Sequence, residues 1–290
     1  MIVRGYETVL VQGITGRQGT FWSERMIDYG TSIVGGVNPK KAGETHIDRP
    51  VWGSAVDAAK ESEIDVSVLF IPPLGVKAAA LDAIAADIGK LVIMTEHVPV
   101  QDVMYVMAAS REAGTRIIGP NTAGLVTPGE CFVGFMPAFS ETIFRPGHVG
   151  VISRSGSLGT LVCLNLVRDG FGISAFVGIG GDPIIGTTTR DALVSLDEDA
   201  RTQAVVIIGE IGGAMEEDAA DYAAGMSKPM VAFIAGAASP PGKRMGHAGA
   251  IVMGNRGTYV AKKAALEAAN VAVLPTPGEI GTVLRERMEG

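Results

Sequence analysis

Residues 8–27 read TVLVQGITGRQGTFWSERMI. A β-branched apolar run, TVLVQ, gives way to glycines at 13, 16 and 19 and then to FWSERMI, whose apolar residues recur at helical spacing. That order is a buried strand, a tight turn and a helix. Glycines in such a turn let the backbone come close to a phosphate, and the helix start offers unpaired N–H groups and the positive end of its dipole.

The same alternation runs outward from this unit. SIVGGV, VDAAKE, VSVLFIP, VKAAALDAIAADI and LVIMT follow in order, and the series closes near RIIGPNTAG. Continuous apolar strands separated by Ala-rich helical stretches predict a parallel sheet covered on both faces. A second series opens at HVGVISRSG and continues through SAFVGIGG, AVVIIGEIGG, PMVAFIAG and VAVLP. Between them lies TPGECFVGFMPAFSETIFRPG, rich in Gly, Pro and aromatics. The expected organisation is one α/β domain over residues 1–125, a linker over 126–147 and a second α/β domain over 148–290. A length of 290 residues suits two domains. No tandem repeat of solenoid length and no low-complexity tail is present.

Composition excludes several classes. A net charge of −7 argues against a nucleic-acid surface, and 47% hydrophobic with 19% charged residues argues against disorder. Gly, Pro or a charge interrupts every apolar run before it reaches a bilayer-spanning length, so no membrane span is expected. The N-terminal MIVRGYETVLVQG lacks the apolar core of a secretory signal, and Cys131 and Cys163 lie in apolar surroundings. A cytoplasmic protein is the expectation.

The turn at Gly13–Gly19 has the spacing GxxGxxG. Where a site for NAD wants an acid at the end of the second strand, this chain has Asn38-Pro39-Lys40-Lys41. Cations there suit an extra phosphate, which NADP and coenzyme A (CoA) both carry. In the second half, Ser153-Arg154-Ser155-Gly156-Ser157 follows a strand and precedes a helix, a second anion cradle of N–H groups and hydroxyls. The loops holding Gly178–Pro183, Gly209–Gly213 and Gly246–Ala250 end or follow strands of the same series. A doubly wound sheet gathers such loops at one edge, where Glu210 and His247 can meet the Ser155 turn. His247 lies between glycines with little bulk beside it. An imidazole facing an anion cradle, with a carboxylate to hold its tautomer, can act as a nucleophile toward phosphorus. His46, His97 and His148 read as structural or surface residues.

QGITGRQGTF, YGTSIVGGVNPKKAG, GPNTAGLVTPGEC, GVISRSGSLG, VGIGGDPIIG, IGEIGG and GKRMGHAGAI, in this order along nearly the whole chain, resemble the α subunits of succinyl-CoA synthetase and related ADP-forming acid–CoA ligases. The resemblance implies an N-terminal Rossmann-like CoA-binding domain and a C-terminal flavodoxin-like domain. It implies His247 as a phosphohistidine oriented by Glu210, and Ser155, Gly156 and Ser157 as the phosphoryl-binding turn. Thr15, Gly16, Arg17 and Gln18 would hold the CoA phosphates, Lys41 its charged end, and Met94, Thr95 and Glu96 its adenosine side. A β subunit with an ATP-grasp domain would bind ATP or GTP with Mg²⁺, and no metal site is expected in this chain. Three transfers follow from the resemblance: a nucleotide phosphorylates His247, a carboxylate takes the phosphoryl group as an acyl phosphate, and the CoA thiol displaces phosphate.

The resemblance also places the acid beside Asn121, Thr122, Ala123 and Thr160. GPNTAG stands where the succinate enzymes have GPNCPG, and Thr160 stands where they have tyrosine, so malate or another short anionic acid is the alternative substrate. An NADP-dependent oxidoreductase would use the first domain but leave Glu210 and His247 without a task. A CoA-binding protein without catalysis would have no need of the histidine loop.

Overall fold

The computed structural model describes residues 1–239, 246–252 and 256–289. The first half contains β1 (Thr8–Gln12), α1 (Arg17–Tyr29), β2 (Ser32–Val37), β3 (Thr45–His46), β4 (Arg49–Trp52), α2 (Ala55–Ala59), β5 (Val66–Leu69), α3 (Val76–Ala85), β6 (Lys90–Ile93), α4 (Val100–Ala113) and β7 (Arg116–Ile118). Its sheet has the order β3-β4-β2-β1-β5-β6-β7. All pairs from β4 to β7 are parallel, and β3 lies antiparallel on β4. Counted along the chain, the parallel strands run 3-2-1-4-5-6, the order of dinucleotide-binding domains. The strand order reverses between β1 and β5, and a crevice opens there at the carboxyl ends.

The second half contains β8 (Gly124–Thr127), β9 (Cys131–Gly134), β10 (Pro146–Ser153), α5 (Gly156–Arg168), β11 (Ile173–Gly178), α6 (Thr189–Glu198), β12 (Ala204–Glu210), α7 (Met215–Ala223), β13 (Met230–Ala235), α8 (Tyr259–Ala268), β14 (Ala272–Leu274) and α9 (Ile280–Glu289). The order is β14-β13-β12-β10-β11-β8-β9. Its five parallel strands run 2-1-3-4-5, the flavodoxin order, with the reversal between β10 and β12. Every residue of β11 and β12 is buried. This is why those runs carry no polar alternation.

Residues 126–147 are more than the linker the sequence suggests. β8 and β9 form an antiparallel hairpin that extends the second sheet from β11. Without it, the edge of β11 would present unpaired backbone groups beside the first half. The hairpin also joins the two halves: the Thr31 hydroxyl donates to the Phe132 carbonyl at 2.8 Å, and the Tyr29 and Phe132 rings meet edge to face at 5.5 Å. One continuous core runs from Val9 and Val68 through Phe132 and Val133 to Val151 and Phe176. Among the described residues no helix is long and apolar enough to cross a membrane.

Candidate functional site

Two clefts open at the carboxyl edges of the two sheets, each at its strand-order reversal. The first encloses about 830 Å³ between Gly16–Gly19 at the start of α1, Phe70–Pro73 after β5 and Met94–His97 after β6, with Asn121 and Phe135 on its wall. Its floor depends on two glycines. Gly13 has φ +83°, a left-handed conformation that side chains disfavour, and a Cβ on Gly19 would run into the Gly13 carbonyl. Gly16 caps α1 without a side-chain hydrogen bond, and the first turn holds no acid. The amide groups and positive dipole end of α1 are thus left for an anion. Thr95 Oγ1 donates to the Ile71 carbonyl at 2.6 Å, tying the loop after β6 to the loop after β5.

Arg17, Gln18, Met94, Thr95 and Glu96 stand on this wall as the sequence suggests. Thr15 and Lys41 do not. The Thr15 hydroxyl accepts from Asn38 Nδ2 at 2.5 Å, and Lys41 is exposed, 4.0 Å from Glu44. His46 is tied to the Thr20 hydroxyl at 2.8 Å, and His148 to the Arg201 carbonyl at 3.1 Å. His97, read from sequence as a surface or structural residue, lines the cleft, as do Phe70–Pro73 and Phe135. The signal for FIPP was positional: it follows a parallel strand, as the Gly13 turn does. No comparable local signal marks Phe135, which arrives from the hairpin.

The second cleft, of about 360 Å³, is lined by Arg154, Ser155, Ser157, Leu158, Gly209–Ile211, Ala235, Gly236, Gly246, His247 and Ala250. Ser155 caps α5 by accepting from the Leu158 N–H at 3.3 Å, and its hydroxyl lies 3.3 Å from that of Ser157. Two hydroxyls and a helix start therefore share this cleft with the histidine. Glu210 ends β12, and its Oε2 lies 2.8 Å from His247 Nδ1. Arg154 is almost wholly buried; its guanidinium stands 3.2 Å from Glu210 Oε1 and donates to the Gly212 carbonyl at 3.3 Å. The Glu210 hydrogen bond raises the His247 pKa above its ordinary 6.5, opposed by burial and by Arg154. With Nδ1–H given to Glu210, the neutral ring presents the Nε2 lone pair. Residues 242–245 of the motif GKRMGHAGAI lie outside the described residues.

Of the four residues expected beside the acid, Asn121 lines the first cleft, and Thr122, Ala123 and Thr160 line neither of the two clefts. The Thr122 side chain is buried, donating to the Gly178 carbonyl and accepting from the Gly124 N–H at 3.0 Å, so its hydroxyl is turned to backbone partners. Ala123 lies beneath Gly156, where an added Cβ would come within 2.7 Å of the Ala123 Cβ. Gly156 is half-buried at the first position of α5, between the two serines that line the second cleft. Thr160 turns its hydroxyl back to the Gly156 carbonyl at 2.9 Å inside α5. Asn121 differs: it lines the first cleft, and its Nδ2 donates to Asp182 Oδ1 at 3.0 Å. Burial raises the pKa of Asp182, against that hydrogen bond. The Asn121 carbonyl accepts from the Gly181 N–H, and Gly181 in turn accepts from the Gly249 N–H, both at 3.1 Å. A short backbone path thus leads from the first cleft to the histidine loop.

Two family models match the chain, one in each half. Residues 6–97 match the CoA binding domain family and residues 152–272 match the CoA-ligase family. The chain is 46% identical over 286 residues to succinate–CoA ligase [ADP-forming] subunit alpha 2 of Archaeoglobus fulgidus, covering 99% of both chains. It is 46% identical over 279 residues to the corresponding alpha subunit of Methanothermobacter thermautotrophicus, covering 96% of this chain and 94% of that one. A solved structure of ATP citrate lyase from Methanothrix soehngenii, in complex with citrate and coenzyme A, superposes with a TM-score of 0.89 at 25% identity. All of this chain is covered, and it spans half the length of that protein.

Proposed function

The chain belongs to the family of ADP-forming succinate–CoA ligase α subunits, and from that premise we propose that His247 carries a phosphoryl group from ATP to succinate while the first cleft holds CoA. The observation that carries the reading is the 2.8 Å contact between His247 Nδ1 and Glu210 on the wall shared with Ser155 and Ser157.

Each residue then has a task. Glu210 accepts Nδ1–H, which fixes the tautomer and leaves Nε2 to form the N–P bond as the O–P bond of the nucleotide breaks. Ser155, Ser157 and the amide groups that begin α5 receive the phosphoryl oxygens. A succinate oxygen next takes the phosphoryl group from Nε2, which restores the imidazole. In the first cleft the uncapped start of α1 and Arg17 suit the CoA phosphates, and Phe70–Pro73 with Met94 suit its adenosine. CoA supplies the thiol that displaces phosphate. The relatives are named as alpha subunits, which supports a separate β subunit, with an ATP-grasp domain, as the source of ATP and Mg²⁺. Succinate is favoured because the relatives carry that name at high identity. Thr122, Ala123 and Thr160, whose differences pointed to malate, do not line either cleft.

The test is incubation of the αβ complex with Mg-ATP labelled in its γ-phosphate. Acid-labile label on His247, absent from His247→Ala and discharged by succinate with CoA, is the expected result. Ligation without label at His247 refutes the reading.

A further inference from the structure

Behind Glu210 lies a charged cluster with no task in the reaction above. Lys262 on α8 and Glu216 in the first turn of α7 have no solvent exposure, and Lys262 Nζ contacts Glu216 Oε2 directly. Glu216 Oε1 accepts the backbone N–H of Glu210 at 3.3 Å. It occupies the space over Gly209, where any Cβ would overlap it. Lys262 Nζ also stands 3.5 Å from Glu217 Oε2, and Glu217 Oε1 accepts the Gly257 N–H at 2.9 Å. The Gly257 carbonyl accepts from Gly212 at 2.8 Å, so the cluster grips both the strand end that bears Glu210 and the segment leading into α8.

An ion pair wholly removed from water is a poor device for stability, because desolvation offsets its attraction and an apolar pair of equal volume does as well. Lys262 lies one helical turn from the buried Leu266, a position that Met or Leu would fill. What an apolar residue at 216 cannot supply is an acceptor for the Glu210 amide. We propose that Lys262 and Glu216 are positioning residues for phosphoryl transfer at His247. Lys262 supplies the counter-charge that lets a carboxylate lie there, and Glu216 fixes the Glu210 backbone so that its side chain stays aligned with Nδ1. This rests on the reading of His247 as the phosphoryl carrier.

Two double variants separate the acceptor from the charge. K262M/E216Q and K262M/E216L both remove the buried pair, but only Gln keeps an oxygen for the Glu210 amide. In the αβ complex with labelled Mg-ATP, His247 labelling in the Gln variant is expected within about threefold of wild type, and in the Leu variant about ten- to a hundredfold slower. CoA affinity and melting temperature should match between the two. Equal labelling rates overturn the proposal. Should the Leu variant fail to fold, E216D keeps the charge for Lys262 and shortens the reach to Glu210; it should slow labelling, and a wild-type rate overturns the proposal. Absence of label on wild type overturns the His247 reading itself, and this inference with it.

Discussion

Gly181 lies flat against the imidazole of His247: a Cβ built on Gly181 would stand 2.5 Å from His247 Cγ. The ring is thereby held between a bare backbone on one side and the Glu210 carboxylate at Nδ1. Gly181→Ala should displace the ring and slow labelling of His247 about a hundredfold, since displacements near 1 Å carry losses of that size. CoA binding, measured by calorimetry, should be unchanged. A wild-type labelling rate would show that the ring has room to move.

Glu210→Gln keeps the size of the side chain but removes the charge that favours Nδ1–H. Labelling should slow about ten- to a hundredfold, whereas His247→Ala should abolish it. Rapid-quench measurement of label on the αβ complex distinguishes the two. Equal losses in both variants would mean that the carboxylate is part of the transfer itself.

The pH dependence follows from the same contact. A folded-state pKa raised by the Glu210 hydrogen bond means that the stability linked to this pair is fully present below the unfolded value near 6.5 and is lost as pH rises through the folded value. Phosphorylation needs the neutral ring, so its rate should climb with pH through that same raised value. In Glu210→Gln the limb should move to lower pH. Initial labelling rates across pH check this, and an unmoved limb would assign the control to another group.

In the first cleft, Arg17→Ala should weaken CoA binding about tenfold, the worth of one exposed charge-assisted contact. Lys41→Ala should leave it unchanged, because Lys41 stands off the cleft wall near Glu44. Calorimetric titration with CoA tests both. A loss at Lys41 equal to that at Arg17 would place the cation in the site.

Thr122→Val should lower stability by about 1–3 kcal/mol, the penalty of leaving buried partners unpaired, because the Gly178 carbonyl and the Gly124 N–H lose their shared hydroxyl. The ranking of carboxylic acids should not change. Thermal unfolding and an assay over short mono- and dicarboxylates read the two effects, and an altered ranking at unchanged stability would return Thr122 to the acid site.

The sequence by itself determined the two parallel sheets and the glycine turns that follow their strands. Each of these rests on neighbours within a few positions: strand TVLVQ beside its turn, Ser155 beside the helix it caps. The tertiary structure alone decided which side chains meet. Glu210 and His247 are 37 residues apart, and Lys262 and Glu216 are 46 apart; both pairs exist because the strand order sets the ends of β12 and β13 side by side. The hairpin at 124–134 looked like a loop because its two strands are four residues each, and β8 is held on its other edge by the distant β11. Thr122 looked like a substrate contact because its hydroxyl finds the Gly178 carbonyl only across 56 residues of chain. A hydroxyl or carboxylate carries the same chemistry in either setting. Whether it faces a ligand or its own backbone depends on which distant partner packing brings within hydrogen-bond reach.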